Sequence, residues 1–111
     1  MMNIINLTPH DITVINAKDN TKKVIPRSGK IARCEQIEDL AGNVDGIKLY
    51  KTNMGKVIDL PESSKDTLYV VSIIVAQAVK NKRDDVIIPF GLVRDEKGVI
   101  IGCQGFAKIK D

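Results

Sequence analysis

One stretch of the chain, LYVVSIIVAQAVKNKRDD from Leu68 to Asp85, decides the fold that the sequence predicts. It is the only place where a strand pattern passes directly into a helix pattern. Leu68 to Val71 is a short apolar run rich in β-branched residues, which is typical of a buried strand. Ser72 stands where an N-cap is expected, and apolar residues then recur at helical spacing. The sequence therefore predicts one principal helix, Ile73 to Lys82, after a buried strand.

The rest of the chain consists of short β-rich runs separated by turn residues. The first two, Asn3–Leu7 and Ile12–Ile15, flank Thr8-Pro9-His10-Asp11 and predict a hairpin. Residues 37–46 are predicted to be irregular. Two more hairpins are predicted, one across Thr52–Gly55 and one across Asp95–Gly98. We expect a single domain over residues 1–111 of the α+β class, a small, mostly antiparallel β-sheet domain with one principal helix packed against it.

Composition and charge indicate an ordinary globular chain with 43% hydrophobic and 28% charged residues. Its 17 basic and 14 acidic residues give a net charge of +3, which does not by itself imply a nucleic acid polymer as partner and suits a small anion equally well. No leader-like start and no apolar run of membrane-spanning length is present, so we expect a cytoplasmic protein without membrane contact. Cys34 and Cys103 lack CxxC spacing and are expected to be reduced and structural, a disulfide being the alternative.

The residues offer no recognisable catalytic arrangement. Nucleophile elbows, phosphate-binding glycine loops and zinc-protease motifs are missing, and the single histidine, His10, lies in a predicted turn. The adjacent carboxylates Asp84-Asp85 and Asp95-Glu96 are most simply solvated. We therefore expect a protein that is not an enzyme and needs no metal or cofactor.

Arginines stand out against the more numerous lysines, because a guanidinium offers a rigid donor fork that fits phosphate or carboxylate oxygens. Arg27, Ser28 and Gly29 present a guanidinium, a hydroxyl and a backbone amide within three residues, as an anion-binding loop would. A turn with a surface arginine is the alternative. Arg94 is followed by Asp95 and could simply pair with it. Phe106 shares a strand face with Gln104, so it could stack on a base or belong to the core.

Several groups of residues distributed along the chain form a recognisable set. They are Asn6-Leu7-Thr8-Pro9-His10, Ile25-Pro26-Arg27-Ser28-Gly29 with Ala32-Arg33, Tyr69-Val70-Val71-Ser72 with Val75-Ala76, Arg83 with Asp85, and Gly102-Cys103-Gln104-Gly105-Phe106. Together they resemble one family of small phage proteins, the first-described Thoeris anti-defence sponges, over nearly the whole chain.

The resemblance implies a protein that captures, without degrading it, the cyclic ADP-ribose isomer made by a bacterial TIR-domain enzyme, and that in some members also captures cyclic oligonucleotides. It further implies homo-oligomers with ligand pockets completed at subunit interfaces, in the host cytoplasm.

Seven residues are the candidate ligand contacts under this resemblance. Each is chosen for its chemistry, since a nucleotide signal needs cations for phosphate, a stacking group for the base and polar groups for ribose. The alternative function is that of a structural or accessory phage protein that acts through self-assembly. The candidates are Arg27 and Arg94 for phosphate, Phe106 or Tyr69 for stacking, and Ser28, Asn81 and Asp95 for hydroxyl or base contacts.

Overall fold

The structure, a computed structural model, describes residues 2–109 of the chain. The protein is mostly β, since 54% of the residues are in strands and 6% in a helix. The elements follow in the order β1 (Asn3–Asn6), β2 (Ile12–Ile15), β3 (Lys22–Ile25), β4 (Arg33–Val44), β5 (Ile47–Ile58), β6 (Thr67–Val70), α1 (Ile73–Ala78), β7 (Val86–Arg94) and β8 (Ile100–Ala107).

Six of these strands form one mixed sheet in the order β1-β6-β7-β8-β2-β3. The pairs β1 with β6, β6 with β7 and β2 with β8 are parallel, whereas β7 with β8 and β2 with β3 are antiparallel. A further parallel bridge joins Asn6, at the end of β1, to Arg27, just beyond β3. Because β1 and β3 are the two outer strands, this bridge brings the edges together and curls the sheet into a partly closed barrel.

The predicted α+β class, with its mostly antiparallel sheet and principal helix, is therefore wrong. Three of the five strand pairings in the main sheet are parallel, and α1 has six residues where ten were predicted. Ser72 does cap the helix as expected, its hydroxyl accepting the Val75 N–H at 3.3 Å. The helix ends at Ala78 with Val79 as its C-cap, and it cannot continue to Lys82 because Asn81 has a φ of +68°, a left-handed conformation that an α-helix does not contain.

The strands β4 and β5 form a separate antiparallel ribbon of two strands, here called the arm. The arm turns at Asp45-Gly46, both with positive φ, as the Asp-Gly hairpin signal favours. Nearly every side chain along it is exposed. The predicted hairpin across residues 52–55 is wrong because β5 continues straight through that segment, and residues 37–46 are strand and turn instead of irregular.

The predicted hairpin at the start of the chain is also wrong. Strand β1 pairs with β6, while β2 pairs with β3 and β8, so β3 lies between β1 and β2 around the barrel. The third predicted hairpin is confirmed, since β7 and β8 pair across a turn in which Gly98 has a φ of +83°. Its glycine supplies the positive φ that this turn requires.

Two groups of buried apolar residues lie on different parts of this sheet. Ile15, Ile25, Val70, Ile87 and Cys103 are buried on five strands of the barrel. A separate cluster packs α1 against β6, the start of β7 and the loops that follow β1 and β3. Its members are Leu7, Ala32, Tyr69, Val71, Val75, Ala76, Val79 and Val86.

Candidate ligand-binding cleft

A buried asparagine joins the two loops at one end of the barrel. Asn6 is 1% exposed, and its side-chain amide donates to the carbonyls of His10 at 2.8 Å and Ile25 at 3.0 Å. Its Oδ1 accepts the backbone N–H of Thr8 at 2.9 Å and the Thr8 hydroxyl at 2.6 Å. Every hydrogen-bonding position of this buried side chain is therefore used, which fixes the loop after β1 against the end of β3.

A second link between the same loops involves the first predicted site residue. The Asp11 carboxylate accepts the backbone N–H of Arg27 at 2.9 Å, and the Arg27 Nε lies 3.9 Å from the same oxygen. The guanidinium also donates to the Pro9 carbonyl at 3.4 Å. Both side chains of the ion pair are more than half exposed, so Arg27 keeps a solvent-facing side with which to meet an anion.

An apolar cleft, here called the hairpin cleft, lies beside these loops where β2 meets the β7–β8 hairpin. Its volume is about 330 Å³, near the lower end of the range for small-molecule sites. Aliphatic side chains form most of its wall, and the polar groups gather at the end next to Arg27. The lining residues are His10, Asp11, Ile12, Thr13, Pro89, Leu92, Ile100, Ile101, Gly102 and Cys103.

Two wider clefts differ from the hairpin cleft in chemistry. One, of about 550 Å³, lies beside Lys18, Lys22 and Lys23, and the other, of about 540 Å³, lies beside Lys30 and Arg33. Their cations are exposed and lie along the surface of β3 and the base of the arm. The second of these clefts also has an arginine, Arg33, beside the apolar residues Ile31, Leu60 and Pro61. The hairpin cleft differs from both in having more aliphatic lining residues and no lysine among them.

Three more predicted residues lie near the hairpin cleft or its loops, although each is bonded within its own turn. The Ser28 hydroxyl lies 3.3 Å from both the amide and the carbonyl of Lys30. Arg94 is paired in the ladder with Ile100, a lining residue, but its guanidinium donates to the Gly98 carbonyl at 2.8 Å. Asp95 accepts the backbone N–H groups of Lys97 and Val99 at 2.8 and 3.0 Å. Arg94 and Asp95 thus hold the β7–β8 turn, which adjoins the lining residue Ile100 in sequence but does not itself line the cleft.

The remaining predicted residues do not join this group. Tyr69 is 3% exposed in the core, with its hydroxyl donating to the Glu62 carbonyl at 3.3 Å, so its ring is not open to a ligand. Asn81 lines another cleft next to Val86, at the far end of β7 from Arg94. An extended strand of that length spans about 26 Å, too far for one small ligand. Phe106 is half-buried and pairs with Pro89, one wall of the hairpin cleft.

An ion pair beside Asn81 closes the opposite end of the barrel. Arg83 donates through Nε and Nη2 to the two oxygens of Asp85, both at 2.9 Å, and through Nη2 to the Pro61 carbonyl at 2.8 Å. These hydrogen bonds hold the pKa of the Asp85 carboxyl below its usual value and raise the pKa of Arg83. Arg83 is thus engaged within its own fold, through Nε and Nη2.

The sequence interpretation missed the groups that shape the cleft. Asn6 was taken only as part of the resemblance, and His10 as a turn residue. Their role depends on Ile25 and Gly102, which are distant in sequence. One sequence feature could have indicated the position of the cleft. Residues 6–10, 25–29 and 102–103, which belong to three separate motifs of the resemblance, lie together at this end of the barrel.

Within residues 2–109, no three His, Cys, Asp or Glu side chains are grouped closely enough to hold a metal ion. Neither cysteine is in a disulfide; Cys34 is half-buried and Cys103 buried. The described part of the chain also contains no helix that is long and apolar enough to cross a membrane. Comparison with known protein families, curated proteins and solved structures finds no match.

Proposed function

We propose that this protein is a phage anti-defence protein that binds a nucleotide immune signal, a cyclic ADP-ribose isomer, and sequesters it without degrading it. The observation that carries the proposal is the hairpin cleft, an apolar wall with Arg27 beside its polar end. A purine ring suits the aliphatic wall, and a guanidinium suits the pyrophosphate. The resemblance stated above gives the identity of the ligand.

Three candidate residues have defined roles in this proposal. Arg27 meets phosphate from the side of the loops, and Arg94 meets it from the β7–β8 turn after exchanging its bond to the Gly98 carbonyl for one to the ligand. Ser28 stands next to Arg27 and offers a hydroxyl for ribose. A cleft of about 330 Å³ encloses only part of a dinucleotide, so tight capture requires further cover from a second subunit.

Calorimetric titration of the purified protein with cyclic ADP-ribose isomers tests the proposal. Arg27→Ala should weaken binding at least tenfold, since it removes a charge-assisted contact to phosphate. Lys22→Ala is the matched control, because Lys22 is an exposed cation at the other end of β3 and should leave binding unchanged. Heating the complex and analysing the released ligand by mass spectrometry should return it intact. Absence of binding, equal loss in both variants, or release of fragments would contradict the proposal.

A second candidate function is favoured by a different observation, the exposed arm. A structural or accessory phage protein that acts through self-assembly would use such a ribbon to join its copies. It predicts stable oligomers that do not bind the nucleotide. The titration above therefore separates the two candidates, provided that the mass of the protein in solution is measured on the same sample.

A further inference from the structure

A cleft at the base of the arm offers chemistry that the proposed function does not use. It lies between the loop that leads into β4 and the segment that follows β5, and its volume of about 540 Å³ is within the range for small-molecule sites. We call it the arm-base cleft. It shares no lining residue with the hairpin cleft. Lys30, Ile31 and Arg33 lie on one wall, and Asp59, Leu60 and Pro61 lie on the other.

Hydrogen bonds and core contacts hold both walls of this cleft in place. On the first wall, the Ala32 N–H donates to the Leu7 carbonyl at 3.0 Å, which fixes the middle of that wall to the barrel. On the second wall, the Pro61 carbonyl accepts a hydrogen bond from Arg83 at 2.8 Å, and Leu60 packs against the buried cluster around α1. The cleft is therefore formed before a ligand arrives, and binding does not have to order its walls.

Arg33 differs from the other three arginines in the bonds that its side chain makes. Arg27, Arg83 and Arg94 each donate to a carboxylate or a carbonyl of the protein. Within residues 2–109, the side chain of Arg33 takes part in no hydrogen bond or ion pair, and the residue is exposed. Its rigid fork of donors is thus free to bind a carboxylate from outside the chain.

A carboxylate of the protein lines the same cleft without pairing with this arginine. Asp59 directly follows Ile58, the residue that pairs with Arg33 across the base of the arm, yet no ion pair joins the Asp59 and Arg33 side chains. Lys30 also pairs with no carboxylate in the part of the chain that the structure describes. The cleft therefore presents separated charges of both signs, which a ligand that itself carries both signs is able to bridge.

An aliphatic surface accompanies these charges. Ile31 is 40% exposed, and Leu60 and Pro61 are half-buried, so all three have apolar area that a ligand can cover. Removing that area from water favours binding. The cleft thus combines a guanidinium, a carboxylate and an aliphatic wall, which match the carboxylate, the ammonium group and the side chain of an amino acid.

We infer that the arm-base cleft binds a free α-amino acid with an aliphatic side chain. Arg33, with Lys30 beside it, holds the carboxylate of the ligand, and Asp59 holds its ammonium group. The aliphatic wall covers the side chain. The unpaired carboxylate of Asp59 repels phosphate, so the cleft favours a zwitterion over a nucleotide. This site is independent of the proposed function, because the two clefts have no lining residue in common.

NMR titration of the isotope-labelled full chain tests the inference with leucine and three matched probes. Leucine should shift the backbone amide signals of Lys30, Ile31 and Asp59, with a dissociation constant of roughly 1 mM or below, which lies within the affinity that so few ligand atoms allow. Leucinamide lacks the carboxylate and N-acetyl-leucine lacks the ammonium group, so each should bind about tenfold more weakly. Glycine leaves the aliphatic wall uncovered and should bind about fivefold more weakly.

Variants of exposed residues then assign the charged contacts, with circular dichroism as the check of folding. Arg33→Gln should weaken leucine binding about tenfold, and Arg33→Lys, which keeps the charge without the fork, should weaken it less. Asp59→Asn should weaken the binding of leucine but not that of N-acetyl-leucine, which has no ammonium group to lose. Asparagine also tolerates the φ of +63° at this position. Lys48→Gln is the matched control, because Lys48 is an exposed cation of the arm outside the cleft.

Four results would overturn the inference. The first is that roughly 10 mM leucine leaves the amide signals of the cleft unchanged, since that concentration is well above the expected dissociation constant. The second and third are that leucinamide or N-acetyl-leucine binds as tightly as leucine, because the carboxylate or the ammonium group would then contribute nothing. The fourth is that Lys48→Gln weakens binding as much as Arg33→Gln does. A failed nucleotide titration would overturn only the proposed function.

Discussion

Asn6 shows how one buried amide can hold a surface site in shape. It is polar and almost fully covered, a combination that is costly unless all its hydrogen bonds are made. Here they are made to the carbonyls of His10 and Ile25 and to Thr8. The loop that carries His10 and Asp11 to the hairpin cleft thus depends on a residue that no ligand would touch.

Asn6→Asp should destabilise the protein by about 3 kcal/mol. The change keeps the size of the side chain but replaces the NH2 group, whose two N–H donors bond the carbonyls of His10 and Ile25, by a carboxylate oxygen that repels them. Urea denaturation measures the free energy of unfolding. Asn16→Asp is the matched control, because Asn16 is exposed and only its Oδ1 accepts a hydrogen bond, from the Lys18 amide. A difference between the variants below about 1 kcal/mol would show that the loops are held by other contacts.

Local side-chain chemistry near the cleft was partly predictable from sequence. The Thr8 hydroxyl does lie 3.4 Å from the His10 amide, as its place in the predicted turn suggests. Asp11 bonds an amide too, but that of Arg27, sixteen residues away. The role of Asn6 could not be predicted, because its partner Ile25 is nineteen residues distant and a buried amide leaves no periodic signal.

At the scale of elements, β8 lies unusually close to β2. A Cβ added to Gly102 would lie 2.6 Å from the Thr13 carbonyl oxygen and 2.9 Å from Ile15 Cδ1. A Cβ added to Gly105, on the same strand, would meet nothing within 4 Å.

Gly102→Ala should therefore destabilise the protein by about 1–3 kcal/mol, because β8 must move away from β2 to make room for the methyl group. Thermal unfolding followed by circular dichroism should show a lowered midpoint. Gly105→Ala is the matched control on the same strand and should stay within about 0.5 kcal/mol of the wild type. Equal midpoints for the two variants would mean that the strands separate at little cost.

Elements with strong local signals were predicted better than their partners in the sheet. The Ser72 cap and the β7–β8 turn are confirmed. The arm was missed because its Asp45-Gly46 turn lies in residues 37–46, which were predicted to be irregular, and the hairpin was predicted across residues 52–55 instead. The parallel pairing of β1 with β6 joins residues 64 positions apart. It could not be predicted, because no turn motif or fixed spacing in the sequence marks such a distant pair.

At the scale of the whole molecule, the Arg83–Asp85 pair secures the end of the barrel away from the hairpin cleft. It ties the chain before β7 to Pro61, in the connector that leads to β6. The hydrogen bonds from Arg83 lower the pKa of Asp85, with a further hydrogen bond from Ser63. The unfolded chain therefore binds this proton at a higher pH than the folded protein does.

The free energy of unfolding should fall as the pH drops below the ordinary aspartate pKa of about 3.9, because the unfolded chain then takes up a proton that the folded protein, with its lowered Asp85 pKa, binds only at a lower pH. Asp85→Asn should be about 1–2 kcal/mol less stable at pH 7 and lose less between pH 5 and pH 2. Urea denaturation across that range measures both effects. Asp84→Asn is the control, since the side chain of Asp84 is 77% exposed. Parallel pH curves for Asp85→Asn and the wild type would contradict this role.

The overall class was mispredicted for a reason that concerns the chain as a whole. Apolar runs such as Leu68–Val71 were identified correctly as buried, but burial alone does not say whether a neighbouring strand is parallel. The helical pattern reached to Lys82, yet the helix ends at Ala78, and the left-handed Asn81 lies in the turn that follows it. The sequence therefore indicated which residues are buried in the core. It did not indicate the order of the strands in the barrel, because that order depends on contacts between segments far apart in the chain.

The pairing of β2 with β8 has a consequence for how the protein is made on the ribosome. Val14 meets Cys103 in the sheet, so the first third of the chain must wait for nearly the last residues to be translated before the barrel can close. Such a high contact order favours slow, post-translational folding. The arm, whose strands are joined by a tight turn, can form earlier on the nascent chain. Co-translational folding should thus begin with the arm and end with β8.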